Sequence, residues 1–281
     1  MIEALFSMQD KICVVTGGSR GLGASMTQGF LEAGAKRVYI TARKAKACID
    51  AAEELSQYGE CIALPCDLST SEGMQTLVTE LMSREQHLDV LVNNAGAGWG
   101  ANFGQFPEKG WDKVMDINVK SPFFLVQALA PLLKKNASAE HTASIINIGS
   151  IAGIVGSALD NFSYATSKTA IHQLTRILST ELASDHIRVN AIAPGRFYSK
   201  MTEFLIANMA PIMFVSLILF LMFGYAVTFS LAACGLFFGF VGVELGVIQA
   251  TFLQSLPLRM FGIMQNDTLL AIPFFTFMGL I

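Results

Sequence analysis

Through the first 203 residues, short apolar runs alternate with Gly-punctuated stretches of helical period. Residues 12–16 form a continuous apolar strand, the Gly-rich turn 17–23 follows, and a helix-compatible stretch runs to residue 33, where Gly34 ends it. The same unit recurs: strands are predicted at 38–42, 61–66, 90–93, 143–148 and 187–193, with helices at 44–58, 71–85, 111–135 and 163–183. Short strands that are apolar throughout are buried on both faces, and their alternation with helices predicts an α/β fold with a doubly wound parallel sheet. Ligands of such sheets bind beyond the carboxyl ends of the strands, so chemistry is sought there.

The pattern changes at residue 204. All but three of the charged residues lie in 1–203; the exceptions are Glu244, Arg259 and Asp267. Residues 204–243 are 40 consecutive uncharged residues, and 204–281 hold 13 of the 21 Phe. A bilayer span needs ~20 apolar residues, so the run predicts two spans, at 204–223 and 226–247, with Gly224-Tyr225 turning the chain between them. Residues 268–281 read as an incomplete third span. Lys200 and Arg259 on the flanks place both ends on the cytoplasmic side of the inner membrane, with 1–203 in the cytoplasm. An alternative is a very apolar soluble core. Two domains are therefore predicted, 1–203 and 204–281.

Composition narrows the function. The chain is 281 residues long, 52% apolar and only 15% charged, with a net charge of −3 and no basic tract. That excludes a disordered chain and a nucleic-acid binder. Five cysteines occur without CxxC or zinc spacing, so no metal site is expected and the thiols read as reduced and cytosolic.

Candidate chemistry falls at the strand ends. Thr16-Gly17-Gly18-Ser19-Arg20-Gly21-Leu22-Gly23 joins the first strand to a helix. Glycines there admit a pyrophosphate, and the helix N-terminus supplies N–H donors; the alternative is a merely tight turn. The second strand ends in Thr41-Ala42-Arg43 with no acidic residue for a ribose. Arg43 with Arg20 suits a 2′-phosphate, against the alternative of two solvated arginines. Asn93-Asn94-Ala95-Gly96 follows the fourth strand and Ser150 the fifth. Tyr164 and Lys168, four apart, share a helix face, where an ammonium favours the phenolate and makes the tyrosine a usable proton donor. Neither His172 nor His186 is read as a ligand, and Trp99 and Trp111 read as loop or core packing, the alternative being the lining of a substrate mouth. The apolar stripe of 163–183 suits either a second copy of the chain or ordinary core.

Taken in order, Thr16–Gly23, Asp67, Asn93–Gly96, Asn118, Ser150, Tyr164-x-x-x-Lys168 and Pro194-Gly195 resemble the short-chain dehydrogenase/reductase family over residues 8–203. Asn147-Ile148-Gly149-Ser150 and the run from Ala193 to Thr202 are similar to its 3-oxoacyl-acyl-carrier-protein reductase subgroup, especially the rhamnolipid-biosynthesis type. The resemblance implies a Rossmann-type sheet, NADP(H) as cofactor, and an NADPH-dependent reduction of a 3-oxoacyl-type carbonyl, free or acyl-carrier-linked. It implies that Tyr164 protonates the carbonyl oxygen, that Lys168 lowers the Tyr164 pKa and binds the nicotinamide ribose, that Ser150 hydrogen-bonds the carbonyl, and that Asn118 holds a water leading from Lys168 to solvent. Cofactor contacts are implied for Thr16, Gly17, Ser19, Arg20, Gly21, Leu22, Gly23, Arg43, Asp67, Leu68, Asn94, Ala95, Gly96, Tyr164, Lys168, Pro194 and Gly195. For Asn118 the residue-level alternative is a helix-interior polar group, and for Asp67 an N-cap to a helix at 68–74. Homo-oligomers through this domain are also implied.

That family continues past Pro-Gly with lid helices and a last strand. The reading here is a sheet lacking that strand, followed by an all-α transmembrane segment. Met209-Ala210-Pro211, the run from Gly224 and the run from Asn266 to Gly279 resemble the N-terminal part of the large permease subunit of tripartite ATP-independent periplasmic transporters. The chain thus reads as a fusion joined near 204–208. Two competing readings are a membrane transport component with a vestigial reductase domain and an inactive chimera.

Overall fold

A computed structural model describes residues 7–155, 160–195 and 237 of the chain. The chain divides into two units, Met1–Phe197 and Tyr198–Ile281, and the description that follows concerns the first. The predicted spans, the seam near 204–208 and the permease-like runs lie outside the described residues. Among the described residues, no helix is long and apolar enough to cross a membrane.

Six strands form one sheet: β1 (Ile12–Val15), β2 (Arg37–Ile40), β3 (Cys61–Ala63), β4 (Val90–Asn93), β5 (Ala143–Ile148) and β6 (Ile187–Ile192). Every pairing is parallel, and the order is β3-β2-β1-β4-β5-β6. The order reverses direction between β1 and β4, which makes the crevice above these two strands the switch point of the sheet. β1 and β4 are buried along their whole length, as their unbroken apolar sequences require. Among the described residues β6 forms the edge beyond β5.

The helices are α1 (Gly21–Glu32), α2 (Ala45–Leu55), α3 (Ser71–Arg84), α4 (Glu108–Met115), α5 (Ser121–Lys135) and α6 (Phe162–Glu181). Alternate strand residues feed two cores, one on each face. Cys13, Val15, Val38 and Ile40 meet Leu31 of α1 and Ala52 and Leu55 of α2. Val14, Leu91 and Ile145 meet Leu77 and Leu81 of α3, Leu125 and Leu129 of α5, and Leu178 of α6. Each such fully buried aliphatic side chain contributes roughly 1.5–3 kcal/mol.

Three predicted elements differ in a way that bears on the site. The single helix expected over 111–135 is interrupted by a π-turn, Asp116–Lys120, between α4 and α5. Pro122 is the cause: it has no N–H for the Asn118 carbonyl, and the ladder is relieved by Ser121 N–H donating to Asp116 O instead. The strand expected over 38–42 ends at Ile40, because the Thr41 carbonyl accepts from Gly18 N (3.1 Å) in the glycine turn. The strand expected over 61–66 ends at Ala63.

Candidate active site

The glycine turn and the turn after β4 are stitched into one floor. Thr16 Oγ1 accepts from Asn94 N and Ala95 N, both at 2.9 Å, and donates to Val92 O (3.1 Å). Asn94 Nδ2 donates to Thr16 O (2.8 Å) and Gly17 O (3.2 Å). A β-carbon on Gly23 would run into the Gly17 carbonyl and stand 2.7 Å from Asn94 Nδ2, so α1 can start this close to the turn only from a glycine. Gly17 and Gly21 hold φ of 67° and 54°, the left-handed region that glycine enters without strain. Space over Gly21 is open. No side chain caps the first turn of α1 and no acidic residue lies in it, so its N–H groups and positive dipole end are left for an anion.

Above this floor lies a cleft of about 240 Å³. It collects most of the expected cofactor residues: Gly17, Ser19, Arg20, Leu22 and Gly23 from the first turn, Arg43 after β2, Asp67 and Leu68 after β3, and Asn94, Ala95 and Gly96 after β4. Arg20 and Arg43 stand in one cleft, as a 2′-phosphate site needs. Asp67 Oδ1 accepts from Ser69 N (3.0 Å) and Ser69 Oγ (2.7 Å). Burial pushes the Asp67 carboxyl up, but these bonds and the charges of Arg43 and Lys113 outweigh it and hold it below its ordinary value. The helix that follows does not begin at 68: α3 starts at Ser71, and Thr70 is its N-cap, accepting from Gly73 N at 3.0 Å. The N-cap alternative for Asp67 is thereby corrected, because its carboxylate is turned into the cleft-side Ser69 loop.

The second half of the site hangs from β5 and α6. Ser150 is buried, and its Oγ accepts from Ala152 N (3.2 Å). Gly149 makes room for the His172 ring, whose Nε2 lies 3.2 Å from Ser150 O. Lys168 is 6% exposed, and its ammonium donates to Ile148 O at 2.7 Å. Burial pushes the Lys168 pKa down to about 8. Its Nζ lies 5.6 Å from the centroid of the half-buried Tyr164 ring. The Pro194 carbonyl accepts from Ile151 N (3.1 Å), so the turn after β6 is tied to the Ser150 turn; Gly195 follows with open space over it.

The two halves meet over Gly96. The position a β-carbon would take there is 3.1 Å from Asn118 Oδ1 and 3.7 Å from Lys168 Nζ. Asn118 is buried, and its side chain makes three hydrogen bonds: Oδ1 accepts from Ala97 N, and Nδ2 donates to Ala97 O and Ser167 Oγ, all at 2.9 Å.

Several residues of the site carry no local signal in the sequence. Thr41 Oγ1 accepts from Gly17 N (3.3 Å), and Lys113, Cys66 and Ile117 line the cleft. Asn93 Nδ2 donates to Asn147 Oδ1 (2.8 Å), and Asn147 Nδ2 to Thr175 Oγ1 (2.9 Å), a buried relay that locks β4, β5 and α6. Trp111 packs edge-on against Phe106, which packs on Phe162, as a packing role predicts.

A parallel sheet with this switch-point cleft, a Gly turn and a Tyr–Lys helix defines an oxidoreductase, and the chain belongs to the short-chain dehydrogenase family, whose profile, described as short chain dehydrogenase, matches residues 11–210. It is similar to the rhamnolipids biosynthesis 3-oxoacyl-[acyl-carrier-protein] reductase of Pseudomonas aeruginosa, at 52% identity over 198 residues, which are 70% of this chain and 77% of that protein. Among solved structures it is similar to the Pseudomonas aeruginosa RhlG/NADP active-site complex, with a TM-score of 0.70 at 51% identity, over 74% of this chain and 80% of that one. A more distant relative is the 2-dehydro-3-deoxy-D-gluconate 5-dehydrogenase of Escherichia coli, 36% identical over 208 residues, 74% of this chain and 80% of that protein.

Proposed function

We propose that the chain is an NADPH-dependent reductase of 3-oxoacyl-type carbonyls. The observation that carries this reading is the meeting point over Gly96, where the nucleotide cleft and the Tyr164–Lys168 turn of α6 share one space. The residues present fit a phosphorylated dinucleotide. The glycine turn leaves its backbone open to a pyrophosphate, Arg20 and Arg43 suit a 2′-phosphate, and Asp67 with Leu68 suits an adenine. Pro194 and Gly195 would complete the cofactor contacts at the far end. When bound, the dihydronicotinamide supplies the hydride.

The chain's own residues do the rest. Ser150 directs its hydroxyl proton at the substrate carbonyl oxygen, which orients it and draws off charge as it develops. Tyr164 gives that oxygen its proton as general acid. Lys168, next to the ring, stabilises the phenolate left behind. Proton return to Tyr164 is assigned to a water held by Asn118 and leading from Lys168 to solvent, since the Asn118 side chain and the Lys168 ammonium face one space over Gly96.

The rhamnolipid-type relative favours 3-oxoacyl thioesters as substrates. We further assign a membrane tether to the uncharged run 204–243, on composition alone. The test is the loss of dihydronicotinamide absorbance on adding 3-oxoacyl-carrier-protein, 3-oxoacyl-CoA or a sugar-acid ketone to the full-length chain with NADPH. Turnover on either thioester supports the reading. Turnover on the sugar-acid ketone alone overturns the substrate class.

A further inference from the structure

Lys113 is a cation of the cleft that neither the motifs nor the proton chemistry uses. It lies on α4 four residues before Ile117, so the two share a helix face, and both line the cleft. Its ammonium is 5.6 Å from the centroid of the Trp99 ring, within reach of the indole face. Trp99 lies there because residue 110 is glycine: a β-carbon at Gly110 would stand 2.7 Å from the indole Cδ2 and Cγ and displace the ring. Gly110 is buried and Trp99 half-buried, so the indole is a fixed platform for an otherwise exposed lysine. The charges of Lys113 and Arg43 both act on Asp67, although one residue comes from α4 and the other from the end of β2. All three residues line the cleft.

A phosphate monoester carries about two negative charges near neutrality. Two guanidiniums less the Asp67 carboxylate leave one positive charge to meet it; Lys113 supplies the second. We propose that Lys113, aimed by Trp99, is a third cationic arm of the cleft and binds the 2′-phosphate of the cofactor together with Arg20 and Arg43. The inference rests on the reading of the cleft as an NADPH site. It makes Trp99 a positioning residue, acting only through Lys113.

Binding of 2′,5′-ADP, 5′-AMP, NADPH and NADH to the full-length chain is measured by titration calorimetry for wild type, K113M, K113R, W99L and the K113M/W99L double variant. K113M is expected to weaken 2′,5′-ADP and NADPH about fivefold, the scale of one solvent-facing ion pair, with less than a twofold change for 5′-AMP and NADH. K113R restores affinity, and added salt erodes wild-type affinity faster than that of K113M. W99L weakens 2′,5′-ADP about twofold, and in the K113M background it has no further effect. Unchanged 2′,5′-ADP binding in K113M, or an equal loss for 5′-AMP, overturns the proposal while leaving the NADPH site intact. A wild type with no preference for NADPH over NADH overturns both.

Discussion

Asn118 Nδ2 donates to Ser167 Oγ at 2.9 Å, and that hydroxyl donates onward to the Tyr164 carbonyl at 2.7 Å. The π-turn in the middle of the α4–α5 segment is thereby coupled to the turn of α6 that carries Tyr164 and Lys168. Asn118 acts as a clamp between the loop after β4 and the proton-transfer helix.

Asn118→Ala removes three hydrogen bonds, one buried and two part-buried, and leaves the Ala97 N–H and carbonyl without their partner. Loss of about 2–4 kcal/mol of unfolding free energy is expected, at about 1 kcal/mol per bond plus the cost of the stranded groups. Urea unfolding of the two chains measures it. A difference below about 0.5 kcal/mol would show that the clamp is not structural.

Tyr164→Phe keeps the ring and deletes the proton. Turnover is expected to drop by about 10²-fold or more, while the affinity for NADPH stays within a small factor. Steady-state rates and direct titration separate the two, and near-normal turnover rejects Tyr164 as the acid.

Arg43→Asp reverses the charge at the end of β2. It should weaken NADPH by about tenfold or more and strengthen NADH, since a carboxylate there suits ribose hydroxyls. The ratio of kcat/KM for the two cofactors checks this; an unchanged ratio sinks the 2′-phosphate assignment.

Lys168 makes stability depend on pH in a defined window. Its folded pKa, pushed down to about 8, lies below the ordinary 10.5. Between these values the unfolded chain holds a proton that the folded chain has released, so stability rises with pH. Relative to Lys168→Met, wild type is expected to gain about 1 kcal/mol of stability from pH 8 to 9. From about pH 8 upward the thiols of Cys13, Cys61 and Cys66, pushed up to about 12 by burial, act with the opposite sign in both chains and cancel in that difference. Denaturation of both chains at pH 7, 8 and 9 tests the sign; parallel curves would refute it.

Residues 204–243, uncharged throughout, should hold the full-length chain in the membrane fraction through carbonate extraction, while a chain ending at Glu203 is released. Recovery of the full chain without detergent would remove the tether.

The strands were readable wherever burial alone decided them: 90–93 and 143–148 match β4 and β5 residue for residue. Boundaries failed where the backbone serves the site, as at Thr41, whose carbonyl turns to Gly18 rather than on along the strand. Site residues were readable when the motif itself supplies the contact, as with Gly23 and Asn94. Those that act across the fold were not. Ser167, Thr175 and Lys113 sit at unremarkable helical positions, and only the docking of α4 and α6 onto the sheet gives them partners. The Asn118 side chain shows the converse: its position was readable, but its three hydrogen bonds depend on a helix break that Pro122 causes from four residues away.

The π-turn has a consequence for how the chain tolerates change. Each residue advances a helix by about 100°, so the extra residue in Asp116–Lys120 sets the angular phase of α5 relative to α4. On one side of it Val114 faces the interior; on the other Leu125, Leu129 and Leu132 do. Deleting a single residue from this turn would leave composition and hydropathy almost untouched, yet rotate the α5 leucines off the sheet by more than a quarter of a revolution. Length, rather than chemistry, is the quantity under constraint in this segment, and insertions or deletions there should be far less tolerated than substitutions.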